Sequence, residues 1–579
     1  MRKAPCLSSY DRLPGSASRW VSAVPNALPI LFLVLFFCVL ISGIFLPVYS
    51  DEVVTKWILS RIFLESGHAV TLFPQCSNSL GKTVSFVFYP AAVLMAAVYS
   101  FLGPLGLRIS GLLLTLFWFF GIAYWTFKRC PTAGGGLRSF SALTALASLG
   151  VMPYLWAMAR SEQLLALGVL LFCLYPLYFN KDRSIQRLWC GAAIYILAAS
   201  IFFYSHSKSI FFLPFVISSV WYAFKSCSIG VRWALSIFVL ALGVEVIQDA
   251  SSLARCADAP MIQKMLDYNV LSPSLMFLAP IEFFSRGFTN LWQSPGRVIE
   301  HLVINNAYQS GWLPPLGILQ AEVGLLNRLI RCLLLFLIAG SHLLAVMIFG
   351  WKFVSRNLSP AVVLALLLAA AGAANSFIYE AWHFYSGIQF VPVSITLLCL
   401  CLPQLPNLSI PRRIRGLFLC CLLAVAAASI LTLFSNAFPI LRNNSDIDQA
   451  NITGQPLSIP TFGTESHLAS IRNLGERCGL TLDRRKYLVV DHMTYFAYRE
   501  NKQPIHILYV SELGFGGDLG GGRLLPFLKK MDSPGVISRC EWIPAELQGM
   551  AKRDDKGYCC VNLDKIVIEA RNDEAGLNP

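Results

Sequence analysis

Charge is what this chain has least of. Asp, Glu, Lys and Arg together make up 13% of its 579 residues, about half the roughly 25% of a typical soluble domain. With 56% hydrophobic residues and a mean hydropathy of +0.59, a soluble globule is excluded. Metal motifs are missing too: no Cys-x-x-Cys pair or histidine-rich tract has zinc-ligand spacing, and the adjacent Cys559 and Cys560 do not make one. The glycine-rich GFGGDLGGGR at 514–523 lacks the Gly-Lys-Ser/Thr ending of a nucleotide loop and opens no G-x-G-x-x-G helix, so it reads as an ordinary loop. No long internal repeat or low-complexity tract is present. Acids are scarcer than bases, 32 against 46, for a formal charge of +14.

What fills the chain is apolar runs. Runs long enough to cross about 30 Å of hydrocarbon, roughly 20 residues of helix, lie near 28–47, 84–103, 109–127, 139–157, 163–179, 188–204, 209–224, 233–248, 332–350, 360–378, 387–402 and 416–435. If all twelve crossed, the basic loop Lys128, Arg129, Arg138 would face away from the basic N-terminus (Arg2, Lys3, Arg12, Arg19). Placing 84–103 in the interface removes the conflict and leaves about eleven transmembrane helices. Lys181/Arg183/Arg187, Lys225/Arg232, Lys352/Arg356 and Arg412/Arg413/Arg415 then join the inside loops, with Asp182 the only acid among them. The expected fold is a polytopic α-helical membrane protein with a cytoplasmic N-terminal tail (1–27), a transmembrane module (28–435) and an outside C-terminal domain (436–579). The positive charge is this loop bias, so no nucleic-acid partner is implied. The first run is too long for a removable signal peptide and reads as an anchor.

This topology puts the chemically capable groups on one face. They are Asp51, Glu52 and Lys82 in the first outer loop (48–108), Arg160 and Glu162 in MARSEQ, and His206 and Lys208 in YSHSKS. A long outer loop (249–331) follows, then Tyr379, Glu380, His383 and Tyr385 in YEAWHFYSG. Ionisable residues at span ends are costly and mark function by default. Each also has a plain structural reading. Lys82, Arg160 and Lys208 could snorkel, Glu162 could pair with Arg160 at a favourable helix start, and His206 and His383 could be satisfied core histidines.

As a set they suit one reaction. A sugar on a lipid phosphate leaves behind negative charge that Lys82, Arg160 and Lys208 could stabilise. The incoming hydroxyl needs a general base, which Asp51 or Glu52 could be. The same carboxylates could serve with or without a divalent cation.

The first span followed by Ser-Asp-Glu, with Trp57 and Arg61 on an amphipathic stretch, resembles the first outer loop of the GT-C superfamily of membrane glycosyltransferases. Within it the chain is most similar to bacterial lipid A aminoarabinose transferases and protein mannosyltransferases. Lys82, the FLGPLGLR run (Phe101 to Arg108), Ala-Arg-x-Glu at Ala159 to Glu162, Ser207-Lys208, and Trp382 to Tyr385 ahead of a span with Pro392 match in register. Lys82 departs from the pattern, being followed by Thr83 and not proline. The resemblance implies a polyprenyl-phosphate sugar donor, an envelope glycan or glycolipid acceptor, inversion at the anomeric carbon, and a bacterial inner membrane with a periplasmic active face. It implies Asp51 as base, Lys82 and Lys208 on the lipid phosphate, and Glu162 bordering the cavity.

Arg160 and His206 are grouped with the donor phosphate, and Arg286, His383 and Tyr385 with the substrate cavity. The outer loop reads as mixed, with Trp292, Arg297, His301 and Trp312 suited to stacking on a sugar and bonding its hydroxyls. From about Ser435 the composition becomes that of a small α/β domain, with strands at KYLVVD, HILYVSEL and GYCCVNLDKIVI and a helix at LLPFLKKM. A disulfide among Cys478, Cys540, Cys559 and Cys560 is allowed there, but the pairing is not legible. Two other functions compete: a lipid-linked glycan flippase, which would place its charges at the bilayer midplane, and an O-antigen polymerase or ligase, which would not need the Asp51-Glu52 pair.

Overall fold

A computed structural model describes residues 26–49, 52, 102, 104–130, 132–178, 185–254, 266, 268–304, 323–380, 384–405, 411–443, 458–459, 465–480, 488–491, 494–498, 505–506, 524–530 and 532–564. Of the run 84–103, expected in the interface, only Leu102 is among them, and Asp51, Lys82, His383 and the glycine-rich 514–523 lie outside.

Among the described residues, nine helices are long and apolar enough to cross a membrane. In chain order the elements of the membrane module are α1 (Ala27–Ser42), β1 (Val48–Tyr49), α2 (Pro104–Arg129), α3 (Ala133–Ala147), α4 (Ser161–Tyr178), α5 (Ile185–Ser205), α6 (Leu213–Ala223), α7 (Ile229–Ala254), α8 (Pro280–Glu300), α9 (Gly324–Leu335), α10 (Ser341–Val354), α11 (Pro360–Ile378), α12 (Gly387–Cys401) and α13 (Arg412–Asn443). A π-helical turn, Phe336–Gly340, joins α9 and α10 into one 31-residue span. Two of the eleven expected crossings are shorter: α3 with its turn Met152–Leu155, and Ser207–Ala223. The last apolar span runs to Pro439 and its helix to Asn443, past the domain boundary read at 435.

Local chemistry sets the helix ends. Ser359 caps α11 by accepting the Val362 N–H, with Pro360 at the first helical position, where its missing N–H costs nothing. His206 caps the 3-10 turn Ser207–Phe212 by accepting the Lys208 N–H at Nδ1, 3.1 Å away. Lys128 and Arg129 end α2, where cations suit the helix dipole.

Helix α2 is locked to the α3–α4 connection by Gln163, whose amide donates to Gly111 O, Thr115 Oγ1 and Trp156 O. Gly111 permits this approach, since a Cβ there would fall 2.2 Å from Met158 O. Gly150, at φ +63°, turns the chain beneath Ser429, whose hydroxyl accepts its N–H at 2.8 Å. A side chain at that φ would be strained and would collide with Leu302 O.

The C-terminal domain continues with β2 (Ser458–Ile459), α14 (Glu465–Cys478), β3 (Val489–Val490), β4 (Ile505–His506), α15 (Leu524–Lys530), β5 (Gly535–Arg539), β6 (Lys552–Arg553) and β7 (Tyr558–Asn562). Its mixed sheet has the order β4-β3-β5-β7-β6, with β3 parallel to β4 and β5, and β7 antiparallel to β5 and β6. Strand segments lie within KYLVVD and GYCCVNLDKIVI and a helix within LLPFLKKM, whereas of HILYVSEL only His506 is among the described residues; α14, β2, β5 and β6 were not read from the sequence. Two disulfides form, Cys478–Cys560 and Cys540–Cys559, so the adjacent Cys559 and Cys560 serve different bridges from opposite faces of β7.

The domain is tied to the membrane module. Strand β1 pairs antiparallel with β2 in the register Val48↔Ile459 and Tyr49↔Ser458. One continuous apolar cluster joins Val48, Leu107, Ala159 and Leu164 from the membrane module to Ile471, Leu474, Tyr495, Tyr498 and Ile537 of the domain.

Candidate active site

The first carboxylate of the site is a clasp. Glu52 is fully buried, with Oε1 3.1 Å from Nη2 of the equally buried Arg108. Arg108 also donates to Pro47 O, holding the end of the first span beside the start of α2. The second Glu52 oxygen accepts the Ala159 N–H at 2.8 Å. Both Glu52 oxygens are thereby engaged, whereas Arg108 engages only Nη2 and leaves Nε and Nη1 buried without hydrogen-bond partners among the described residues, so the pair's counter-charge is what offsets the burial of the guanidinium. One residue beyond Ala159 stands Arg160, so the clasp places Glu52 next to the group that follows.

That group centres on Glu162, fully buried in the first turn of α4. Its carboxylate receives Arg160 Nε at 3.3 Å and lies 3.5 Å from His206 Nε2. Lys208, 7% exposed, interacts electrostatically with both Glu162 and Arg160. Two tyrosines floor the cations: the Arg160 guanidinium lies 3.7 Å from the Tyr385 ring centre and Lys208 Nζ 4.8 Å from that of Tyr379. Burial pushes the Tyr379 phenol up to about 12, so it stays a neutral hydrogen-bonding group through the physiological range. Arg160 and Lys208 against Glu162 leave one net positive charge with His206 neutral, and two with it protonated. A partly desolvated site of that sign and size suits a phosphate.

The cluster draws on the start of α4, the 3-10 turn after α5, the end of α11 and the start of α12. Arg160, Glu162, His206, Lys208, Tyr385 and Glu52, all singled out in the sequence, therefore meet. Tyr379 was counted among the outer-face groups of the YEAWHFYSG stretch without a role, and its place beneath Lys208 is a finding of the structure. Arg108 was seen only as the end of a motif; an arginine in an apolar helix start is the signal that could have marked it.

Arg286 is placed elsewhere. It sits on α8, its side chain 43% exposed, in a two-pronged pair with Glu380 at 3.0 and 2.8 Å and a further contact with Glu282. Those hydrogen bonds raise its pKa further. Arg297 adds a bond to the Glu380 carbonyl at 2.7 Å. Within the stretch read as a mixed loop, Pro280–Glu300 form a 21-residue helix whose apolar positions recur at helical spacing. Among the described residues no three His, Cys, Asp or Glu side chains converge as a metal site requires.

Fold and site together define a multispan helical membrane protein that gathers carboxylates, cations and aromatic rings where its span ends meet an α/β domain. No protein-family model and no curated protein matches the chain. Among solved structures it is similar to ArnT from Cupriavidus metallidurans bound to undecaprenyl phosphate, with a TM-score of 0.46 and 12% identity over 93% of this chain and 98% of that one. It is also similar to the archaeal oligosaccharyltransferase AglB from Archaeoglobus fulgidus, in complex with an inhibitory peptide and a dolichol-phosphate. There the TM-score is 0.42 and the identity 12%, over 88% of this chain and 69% of that one.

Proposed function

We propose that the protein is a GT-C-type membrane glycosyltransferase that moves a sugar from a polyprenyl-phosphate donor to an envelope glycan or glycolipid. The observation that carries this reading is the convergence of Arg160, His206 and Lys208 on one buried carboxylate, Glu162, over an aromatic floor and beside the Glu52 clasp.

In this reading the donor phosphate sits on Arg160 and Lys208, and its lipid tail runs along the spans. The acceptor hydroxyl attacks the anomeric carbon as the bond from that carbon to the phosphate oxygen breaks. The electron pair leaves with the polyprenyl phosphate, whose added charge the two cations stabilise. Asp51 takes the acceptor proton, and its chain neighbour Glu52 anchors to Arg108 and the Ala159 N–H. Single displacement inverts the anomeric centre. The two disulfides of the C-terminal domain suit an oxidising compartment, which supports a periplasmic active face and a cytoplasmic N-terminus.

The test is transfer from a radiolabelled polyprenyl-phosphate sugar by purified protein in nanodiscs. Asp51→Asn and Lys208→Met should abolish or severely reduce transfer while the protein stays monodisperse. Undiminished transfer by a folded Asp51→Asn protein would remove the base. Movement of intact donor across the membrane without sugar transfer would favour a flippase instead.

A further inference from the structure

Helix α8 has three faces. At 100° per residue, Phe283, Gly287, Asn290, Ser294 and Val298 form one stripe, and all are buried. A second stripe, Ile281, Phe284, Phe288 and Trp292, is apolar and open, with Ile281 86% and Trp292 87% exposed. The third carries Glu282, Arg286, Gln293 and Arg297, bonded among themselves and to Glu380. The stripe centres lie roughly 90–145° apart around a helix of 3.6 residues per turn. A surface helix of a soluble domain needs two faces, one for the core and one for water.

The crossing geometry adds a direction. From Phe283 to Arg297, about 21 Å of helix at 1.5 Å per residue, the contacts with α11 and its end fall on Ser376, Phe377 and Glu380. Gly287 allows the close pass, since a Cβ there would meet the Phe377 ring at 2.1 Å. Helix α8 therefore crosses the end of a span and does not run beside it. If α11 stands in the bilayer, α8 lies in its plane.

We infer that α8 is an in-plane membrane helix whose Ile281–Phe288–Trp292 stripe is seated in the lipid leaflet at the level of the cation cluster, and whose arginine face fixes that cluster through Glu380. The occupant follows from continuity: α9, joined to the end of α8 by the Glu300–Arg331 pair, carries the exposed apolar side chains Leu325, Leu329 and Leu335 of a membrane span, and the stripe extends that belt. Tryptophan at its far end suits the headgroup boundary. On the opposite side, Glu380 is gripped by Arg286 and Arg297, and its N–H bonds Asn269 O at 3.0 Å. Its neighbour Tyr379 bridges Val270 and lies under Lys208. Arg286 is then a positioning residue, acting through Glu380 and Tyr379. This second half rests on the phosphate reading of the cluster; the first half does not.

Two measurements test it. Wild-type and Trp292→Phe proteins are reconstituted in vesicles containing phospholipids brominated near the carbonyl end of the acyl chain, and the tryptophan signal lost in the variant is compared under bromolipid and aqueous iodide. Quenching of that component by bromolipid and protection from iodide supports the membrane seat. Iodide quenching without bromolipid quenching, or protection from both as in contact with a second copy or another protein, overturns it. This readout needs no turnover. For the linkage, Arg286→Gln should raise KM for the polyprenyl-phosphate donor about tenfold with kcat little changed, and Arg286→Lys should restore only part of it, because the two-pronged contact is lost. Unchanged KM in Arg286→Gln overturns the linkage, whereas loss of all transfer by the wild type would overturn the proposed activity and leave the quenching result standing.

Discussion

Removing the Glu52 side chain separates a structural carboxylate from a catalytic one. In the folded protein Glu52 and Arg108 have no exposed side-chain surface and stand 3.1 Å apart, and Glu52 also accepts the Ala159 N–H. Glu52→Ala leaves a buried guanidinium without its counter-charge and an amide without its acceptor. Breaking a buried pair in this way costs about 3–5 kcal/mol. Glu52→Gln keeps the shape and part of the hydrogen bonding, so it should cost less. Arg108→Met combined with Glu52→Ala removes both charges and should recover most of the loss, giving a coupling energy of opposite sign to the single effects. The assay is thermal unfolding of detergent-solubilised protein followed by size-exclusion chromatography, run beside sugar transfer. The reasoning predicts a large drop in unfolding temperature for Glu52→Ala, a smaller one for Glu52→Gln and rescue in the double variant. A Glu52→Ala protein that unfolds at the wild-type temperature yet transfers no sugar would refute it and make Glu52 a participant in the chemistry.

Lys208→Met removes a cation from a site only 7% exposed, so affinity for polyprenyl phosphate should fall by about 1.5–3 kcal/mol, roughly 10- to 150-fold, in a direct binding titration. The folded Tyr379 phenol holds its proton to about pH 12, above the ordinary value near 10. Native protein therefore binds more protons than unfolded protein between those values, and stability should decline as pH rises through that window. Tyr379→Phe should flatten the decline in a pH series of unfolding temperatures. Cys478→Ser opens a bridge across 82 residues, a loop for which chain entropy assigns about 4–5 kcal/mol. Limited proteolysis should then release the C-terminal domain while leaving the spans intact, and an unchanged cleavage pattern would count against that domain's dependence on the bridge.

Apolar run length and the bias of basic loops carry the membrane character of this chain, and both can be counted along the sequence. They located the spans because a helix in lipid must satisfy its backbone internally and cover itself with apolar side chains, whatever its neighbours are. The same logic brought Arg160, Glu162, His206 and Lys208 to one face, since alternation of spans is a one-dimensional rule. Whether Glu52 attacks a proton or clasps Arg108 could not be read, because the partner lies 56 positions away and only packing brings it there. The strand pairing of Val48 with Ile459 and the two cysteine bridges are equally long-range. Helix α8 shows the divide within one element. Its periodicity was present in the residues, but which stripe meets protein, lipid or water was decided by the end of α11 crossing it at Phe377, a contact that no local pattern encodes.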